Sequence, residues 1–137
     1  MDVITFITHA ESVCFAHPWT RGEVQSAVES EYGVFAVEPE TGYALGRLSF
    51  DEAELYRIAV LPEKRRNGVG GRLLDSFISA CRGRGAEKIF LEVRSKNEPA
   101  IKLYESRGFA LISVRKGYYG DDDALIYMLP EPAETGQ

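Results

Sequence analysis

The segment LYRIAVLPEKRRNGVGGRLL, residues 55–74, determines the fold that we expect for this chain. It opens with a β-rich run over residues 55–61 and passes through a basic, glycine-rich loop into a helix with one apolar face. A second apolar run, residues 88–93, follows that helix, and its composition predicts a strand covered on both faces. This order of elements predicts a right-handed βαβ crossover with two parallel strands.

The loop between the first strand and the helix has the features of an anion site. Three consecutive cations, Lys64, Arg65 and Arg66, precede the glycines, and the helix begins directly after them. Bare backbone N–H groups, a helix N-terminus and positive charge therefore converge. The P-loop motif that binds nucleotide triphosphates is missing. Leu73 stands where the dinucleotide-binding fingerprint has a small residue, which argues against NAD as the ligand. The alternative is a solvated basic loop that only starts a helix.

The remaining segments surround this unit with helices and antiparallel strands. Thr20 followed by Glu23 is a capping box that opens a short helix, and Pro39 and Gly42 lie in a hairpin turn. Further helices are predicted at residues 3–15, 20–31 and 97–107, and further strands at 33–38, 43–50, 109–115 and 124–129. The sequence therefore predicts one α/β domain over residues 1–130, followed by a frayed tail over 131–137.

Composition limits the classes of function. With 137 residues and 45% apolar side chains the chain is one domain, and 16 Lys plus Arg against 21 Asp plus Glu give a net charge of −5. This charge argues against general binding of nucleic acid or a membrane surface and favours a cationic substrate. Cys14 and Cys81 lack the spacing of a zinc site or a disulfide framework, so we interpret both as reduced core thiols. Without a basic leader or a long apolar run, the chain is expected in the cytoplasm.

Several polar residues have two interpretations each. Glu92 interrupts an apolar strand, so its carboxylate either pairs with Arg94 or lies at the open carboxyl end of the sheet, where α/β ligands bind. Helical periodicity makes Tyr104 a core aromatic, and Asn97 is explained as a helix cap. The segment 121–123, three aspartates, is a solvated turn or a site that attracts a cationic peptide.

The motif Arg65-x-x-Gly68-x-Gly70 after a strand resembles the acetyl-CoA signature of the GCN5-related N-acetyltransferases. The resemblance covers nearly the whole chain and is strongest in LEVRSKNEPAIKLYESRGF, residues 91–109. HPWT at 17–20 and RKGYYGDDDALIYML at 115–129 extend it. Within the family these segments are similar to the enzymes that acetylate the N-terminal alanine of a small-subunit ribosomal protein.

The resemblance implies a mixed, largely antiparallel sheet with a central parallel βαβ unit and helices on both faces. It also implies acetyl-CoA as donor without a metal, and the basic N-terminal segment of a ribosomal protein as acceptor. Glu92 matches the general base and Tyr104 the general acid of the family. The implied cofactor-binding residues are Ile58, Ala59, Val60, Arg65, Arg66, Asn67, Gly68, Val69, Gly70, Gly71 and Asn97.

Two departures from the family pattern are visible. Relatives begin with a strand before the first helix, which this sequence starts too late to contain, and they place a larger residue at the position of Gly71. Two other functions use the same loop. One is acetylation of a small amine such as a polyamine or a drug, and the other is non-catalytic sensing of acyl-CoA.

Overall fold

A computed structural model describes residues 2–132, so most of the predicted tail, residues 133–137, lies outside the described residues. Four α-helices and six strands form within this range. The helices are α1 (Val3–Cys14), α2 (Arg21–Glu29), α3 (Val69–Gly83) and α4 (Glu98–Ser106), with a 3-10 turn at Pro62–Lys64. The strands are β1 (Gly33–Glu38), β2 (Gly42–Ser49), β3 (Glu52–Val60), β4 (Lys88–Arg94), β5 (Ala110–Arg115) and β6 (Ala124–Leu129).

The six strands form one sheet in the order β1-β2-β3-β4-β6-β5. Every neighbouring pair is antiparallel except β3 and β4, which are parallel and connected through α3. The predicted fold class is therefore confirmed: a mixed, mainly antiparallel sheet with one parallel βαβ unit. The capping box that opens α2 is also present, because Thr20 and Glu23 bond to each other's backbone N–H groups.

Helices cover the sheet on both faces but not along its full width. One core joins α3 and α4 to the sheet, with Phe77, Leu74 and Ile89 fully buried in it. A second core lies on the opposite face and joins α1 and α2 to β2 and β3 through residues such as Ile7 and Tyr43. The second pair of helices packs on β1, β2 and β3 and does not extend over β4.

The prediction that β4 is covered on both faces is wrong. Its burial alternates: Ile89, Leu91 and Val93 are buried, whereas Glu92 and Arg94 are exposed. The reason is that α1 and α2 stop short of this strand, so one face of β4 stays open. Side chains on this face, Glu92 among them, therefore reach solvent from the middle of the sheet.

The parallel strands β3 and β4 pair only over their first four residues, Glu52 to Leu55 of β3 against Lys88 to Leu91 of β4. Pairing between β2 and β3 continues to Val60. Beyond Leu55, therefore, β3 is held by β2 on one side while its other side separates from β4. The backbone edge of β3 is left without a strand partner in this gap, which opens towards the glycine-rich loop.

Candidate active site

A cavity of about 350 Å³ lies where β3 ends and the glycine-rich loop begins. We call it the loop cavity. Its wall contains eight of the eleven predicted cofactor-binding residues: Ile58, Ala59, Val60, Arg65, Arg66, Gly68, Val69 and Gly70. Residues of α4, including Ala100 and Leu103, close the opposite side. The half-buried Cys14, which we had interpreted as a core thiol, also lines this cavity.

The loop holds its shape through its own hydrogen bonds. Arg65 Nε donates to the Val60 carbonyl at 2.9 Å, and Asn67 Nδ2 donates to the carbonyls of Lys64 and Arg65 at 3.4 and 3.3 Å. Gly68 is the N-cap of α3 with φ +74°, a left-handed conformation that glycine adopts without strain. No side chain caps α3, so its first N–H groups remain available to an anion.

Three predicted cofactor-binding residues lie outside the cavity wall: Asn67, Gly71 and Asn97. The Asn67 amide is engaged with the loop carbonyls described above. A Cβ at Gly71 would meet the end of the Arg107 side chain, and that guanidinium is paired with Asp75. A larger residue at position 71 would therefore require the Arg107 side chain to shift.

A second, more open space of about 670 Å³ lies above the exposed face of β4. We call it the open groove; its walls include Glu54, Arg57, Glu92, Asn97 and Tyr119. Phe15, Ile58 and Tyr104 line both the open groove and the loop cavity. The two spaces therefore meet at these three side chains, beside the gap between β3 and β4.

Glu92 is exposed in the open groove and is bound by a tyrosine, not by the arginine that its spacing suggested. The Tyr119 hydroxyl donates to Glu92 Oε2 at 2.6 Å. Arg94 lies over the Tyr119 ring, 3.9 Å from its centroid, and pairs with Asp121 at 3.4 Å. Burial and the bond to Glu92 raise the pKa of Tyr119 to about 12. Within residues 2–132 the second oxygen of the Glu92 carboxylate accepts no hydrogen bond and is available to another ligand.

Tyr104 lies at the junction of the two spaces. Its side chain is only 6% exposed and packs on Phe109, with ring centroids 5.9 Å apart. Burial raises the pKa of Tyr104 to about 12, and within residues 2–132 the structure gives its hydroxyl no hydrogen-bond partner. The phenol is therefore protonated at neutral pH, and its O–H is free to donate to a group at the junction. It is both a core aromatic and a candidate for the site.

Sequence reasoning missed a buried charge network beside the open groove. Glu11 of α1 is fully buried, where it accepts hydrogen bonds from Trp19 N at 2.7 Å and from the Tyr43 hydroxyl. Its carboxylate also pairs with Arg57 of β3 at 3.5 Å, and Arg57 donates to the His17 carbonyl at 3.1 Å. The network fixes the segment between α1 and α2 against β3. The sequence contained one signal of this network, because Glu11 is an acidic residue on the otherwise apolar face of α1.

The aspartates at 121–123 do not form the solvated turn that the sequence predicted. Asp122 is buried and accepts hydrogen bonds from the Ser95 hydroxyl and from the backbone N–H groups of Lys96 and Asp123. These bonds lower the pKa of Asp122. Asp121 alone remains well exposed, at 78% of its side chain. The aspartates join the loop before β6 to the end of β4, and this places Tyr119 over Glu92.

The fold and these two spaces are those expected of an acyl-group transferase: one space presents the uncapped start of α3 to an anion, and the other exposes a carboxylate to solvent. The sequence matches the model of the Acetyltransferase (GNAT) family over residues 4–109, and the chain belongs to this family. It is therefore an acetyl-CoA-dependent N-acetyltransferase. Within residues 2–132 no three His, Cys, Asp or Glu side chains lie together as metal ligands, and no helix is long and apolar enough to cross a membrane.

Proteins named [ribosomal protein bS18]-alanine N-acetyltransferase are similar to the chain over most of its length. The one from Escherichia coli (strain K12) is 36% identical over 129 residues, which cover 89% of this chain and 87% of that protein. The one from Haemophilus ducreyi (strain 35000HP) is 34% identical over 105 residues, 74% of this chain and 72% of that protein.

Solved structures agree with this relationship. The crystal structure of the ribosomal-protein-S18-alanine N-acetyltransferase from Escherichia coli superposes with a TM-score of 0.85 at 31% identity, covering 100% of this chain and 94% of that one. Ard1 from Thermoplasma volcanium gives a TM-score of 0.80 at 27% identity, covering 95% and 92%.

Proposed function

We propose that this protein acetylates the α-amino group of the N-terminal alanine of a small-subunit ribosomal protein, in the cytoplasm. The observation that carries the proposal is the 36% identity, over 89% of the chain, to an enzyme named for that reaction. The open groove supports it, because a polypeptide end requires a wide approach to the carboxylate, whereas a small amine does not. We assign this activity to residues 1–130.

The loop cavity has the properties required to hold acetyl-CoA, which supplies the acetyl group as a thioester when bound. On the side that faces β4, the backbone edge of residues 58–60 has no strand partner. The Val60 carbonyl already accepts from Arg65 Nε, so the other N–H and C=O groups of this edge are the ones offered to the amides of the pantetheine arm. Gly68 and the first turn of α3 offer N–H groups to the diphosphate, with Arg65 and Arg66 adding positive charge. From the family resemblance we also assign contacts with the donor to Asn67, Gly71 and Asn97.

Glu92 is the proposed general base. Its exposed carboxylate takes the proton from the incoming ammonium, directly or through one water molecule, which leaves the neutral amine able to attack. An α-amine with a pKa of about 7.7–8.0 costs only about 1 kcal/mol to deprotonate at pH 7, whereas a lysine near 10.4 costs about 4.6 kcal/mol. A carboxylate is a weak base, so this difference favours a protein N-terminus over a lysine side chain.

Tyr104 is the proposed hydrogen-bond donor to the departing sulfur. Its pKa of about 12 lies well above the value of about 8.5 for a thiol, so complete proton transfer from the phenol is uphill. A hydrogen bond from the protonated hydroxyl stabilises the developing thiolate without that cost. The position of Tyr104 at the junction of the two spaces supports this role.

A peptide panel tests the proposal. The protein and acetyl-CoA are incubated with an Ala-initiated peptide, with the same peptide blocked at its N-terminus and carrying an internal lysine, and with spermidine, and the products are read by mass spectrometry. We expect acetylation of the free N-terminal alanine alone. Acetylation of spermidine without the peptide would identify a small-amine acetyltransferase, and acetyl-CoA binding without transfer to any amine would identify a sensor.

A further inference from the structure

A second carboxylate, Glu54, lines the open groove together with Glu92. Glu54 is paired in register with Phe90, and Glu92 follows Phe90 by two residues, so the two carboxylates project from the same face of neighbouring strands as diagonal neighbours. Within residues 2–132 no cation lies within 4.0 Å of Glu54, and its carboxylate accepts no hydrogen bond. None of the roles assigned above uses this residue.

The cations that line the groove are already engaged. Arg57 pairs with Glu11 and donates to the His17 carbonyl, while Arg94 pairs with Asp121 and lies over an aromatic ring. Glu92 is bound only by the neutral hydroxyl of Tyr119. Arg47 of β2 is paired in register with Glu54, but its guanidinium lies over the Tyr32 ring, 5.4 Å from the centroid, and forms no ion pair with Glu54 in residues 2–132. Partial burial and the charge of Glu92 raise the pKa of Glu54. A cation entering beside Glu54 would relieve this repulsion.

The amine that reacts does not supply that cation. It must lose its proton at Glu92, close to the junction that Ile58 and Tyr104 form. Glu54 lies four residues before Ile58 on the same strand, about 13 Å along it. One residue of the acceptor spans about 3.8 Å between Cα atoms, and a long basic side chain extends the reach from its second residue towards Glu54.

We propose that Glu54 determines specificity by binding a lysine or arginine side chain at the second residue of the acceptor. The inference rests on the proposed function, because it assumes an N-terminal peptide with its amine at Glu92. It narrows the acceptors to N-termini of the form Ala-Lys or Ala-Arg. Glu54 is assigned no part in proton transfer.

Two peptides that differ only at the second residue, Ala-Arg-Ser-Gly-Phe amide and Ala-Gln-Ser-Gly-Phe amide, test the inference. For the wild type we expect kcat/KM to be about 5- to 10-fold higher for the arginine peptide, with the difference in KM. In Glu54→Gln this preference is lost, and the glutamine peptide is used as before. Glu52→Gln is the matched control, since it removes the same charge from the same strand outside the open groove.

Reversing the charge of Glu54 tests the inference through a change in which peptide is preferred. Glu54→Lys should prefer the corresponding Ala-Glu peptide over the Ala-Arg peptide. The inference is overturned if wild type uses both original peptides equally, if Glu54→Gln slows both by the same factor, or if Glu52→Gln loses the preference as well. Failure of the wild type to acetylate either peptide would instead overturn the proposed function, and this inference with it.

Discussion

At the scale of single residues, the proposed mechanism depends on two side chains with opposite surroundings. Glu92 stands on the uncovered face of β4, where solvent and an acceptor can reach it. Tyr104 is buried, and burial raises its pKa to about 12, so its hydroxyl stays protonated well above neutral pH. The proposed base is therefore exposed, and the proposed hydrogen-bond donor is enclosed.

Replacement of each residue tests these roles. Glu92→Gln and Tyr104→Phe should each lower kcat by about 10²-fold or more and leave the affinity for acetyl-CoA nearly unchanged, since each removes a group that acts during transfer. Turnover is measured with an Ala-initiated peptide and affinity by calorimetric titration with acetyl-CoA. Equal losses in turnover and in affinity would assign both residues to structure.

Local sequence predicted some of these residues better than others. Glu92 was placed at the cleft by one argument, that an isolated carboxylate does not stay in an apolar strand without a partner. The network of Glu11 could not be predicted, because its partners Tyr43 and Arg57 are 32 and 46 residues away in the chain. The predicted partner of Glu92, Arg94, was wrong for the same reason. Arg94 is a neighbour in sequence, whereas the observed partner, Tyr119, comes from a distant loop.

At the scale of elements, most ends were predicted closely, and the start of β3 was not. The capping box placed the start of α2, and β6 has the predicted bounds. The strand β3 was expected over residues 55–61 but is Glu52–Val60. Residues 52–54 carry little apolar signal, and they become a strand because β2 and β4 both pair with them.

The N-terminus of α4 offers a test that separates structure from ligand binding. Asn97 Oδ1 accepts a hydrogen bond from Ala100 N at 3.3 Å, so Asn97→Ala should lower the free energy of unfolding by about 1 kcal/mol. Asn97→Ser keeps an oxygen acceptor for the cap and loses the amide donor. We expect Asn97→Ser to retain stability and to raise the KM for acetyl-CoA about fivefold, the loss of one hydrogen bond.

Denaturant unfolding and steady-state kinetics of the three proteins provide the readout. An unchanged KM in Asn97→Ser would leave Asn97 with the cap as its only role. Thr20→Ala is the matched control, because it removes the N-cap of α2, where no contact with acetyl-CoA is proposed.

At the scale of the whole molecule, buried tyrosines should make the free energy of unfolding decrease at alkaline pH. Burial raises the pKa of Tyr104 to about 12, and burial together with Glu11 raises the pKa of Tyr43 further. A phenol in the unfolded chain has a pKa of about 10. Because the folded values are higher, this stabilisation is complete below about pH 10 and is lost as the pH rises through about 12.

We therefore expect the free energy of unfolding of the wild type to fall between about pH 9 and about pH 11.5, with Tyr104 contributing about 2 kcal/mol of the loss. Tyr104→Phe should show a decrease that is smaller by that amount. Guanidinium unfolding at the two pH values measures both. Parallel losses in the two proteins would mean that Tyr104 titrates equally in the folded and unfolded states.

Because β3 and β4 pair over only four residues, the stability of the sheet and the proposed activity make opposite demands on these strands. Two more residues of pairing would satisfy free backbone groups of β3 and make the sheet stronger, but they would occupy the groups that we propose bind the pantetheine arm of the donor. Selection for heat resistance alone should therefore yield variants in which β3 and β4 remain paired beyond Leu55. Such variants would melt later and acetylate nothing.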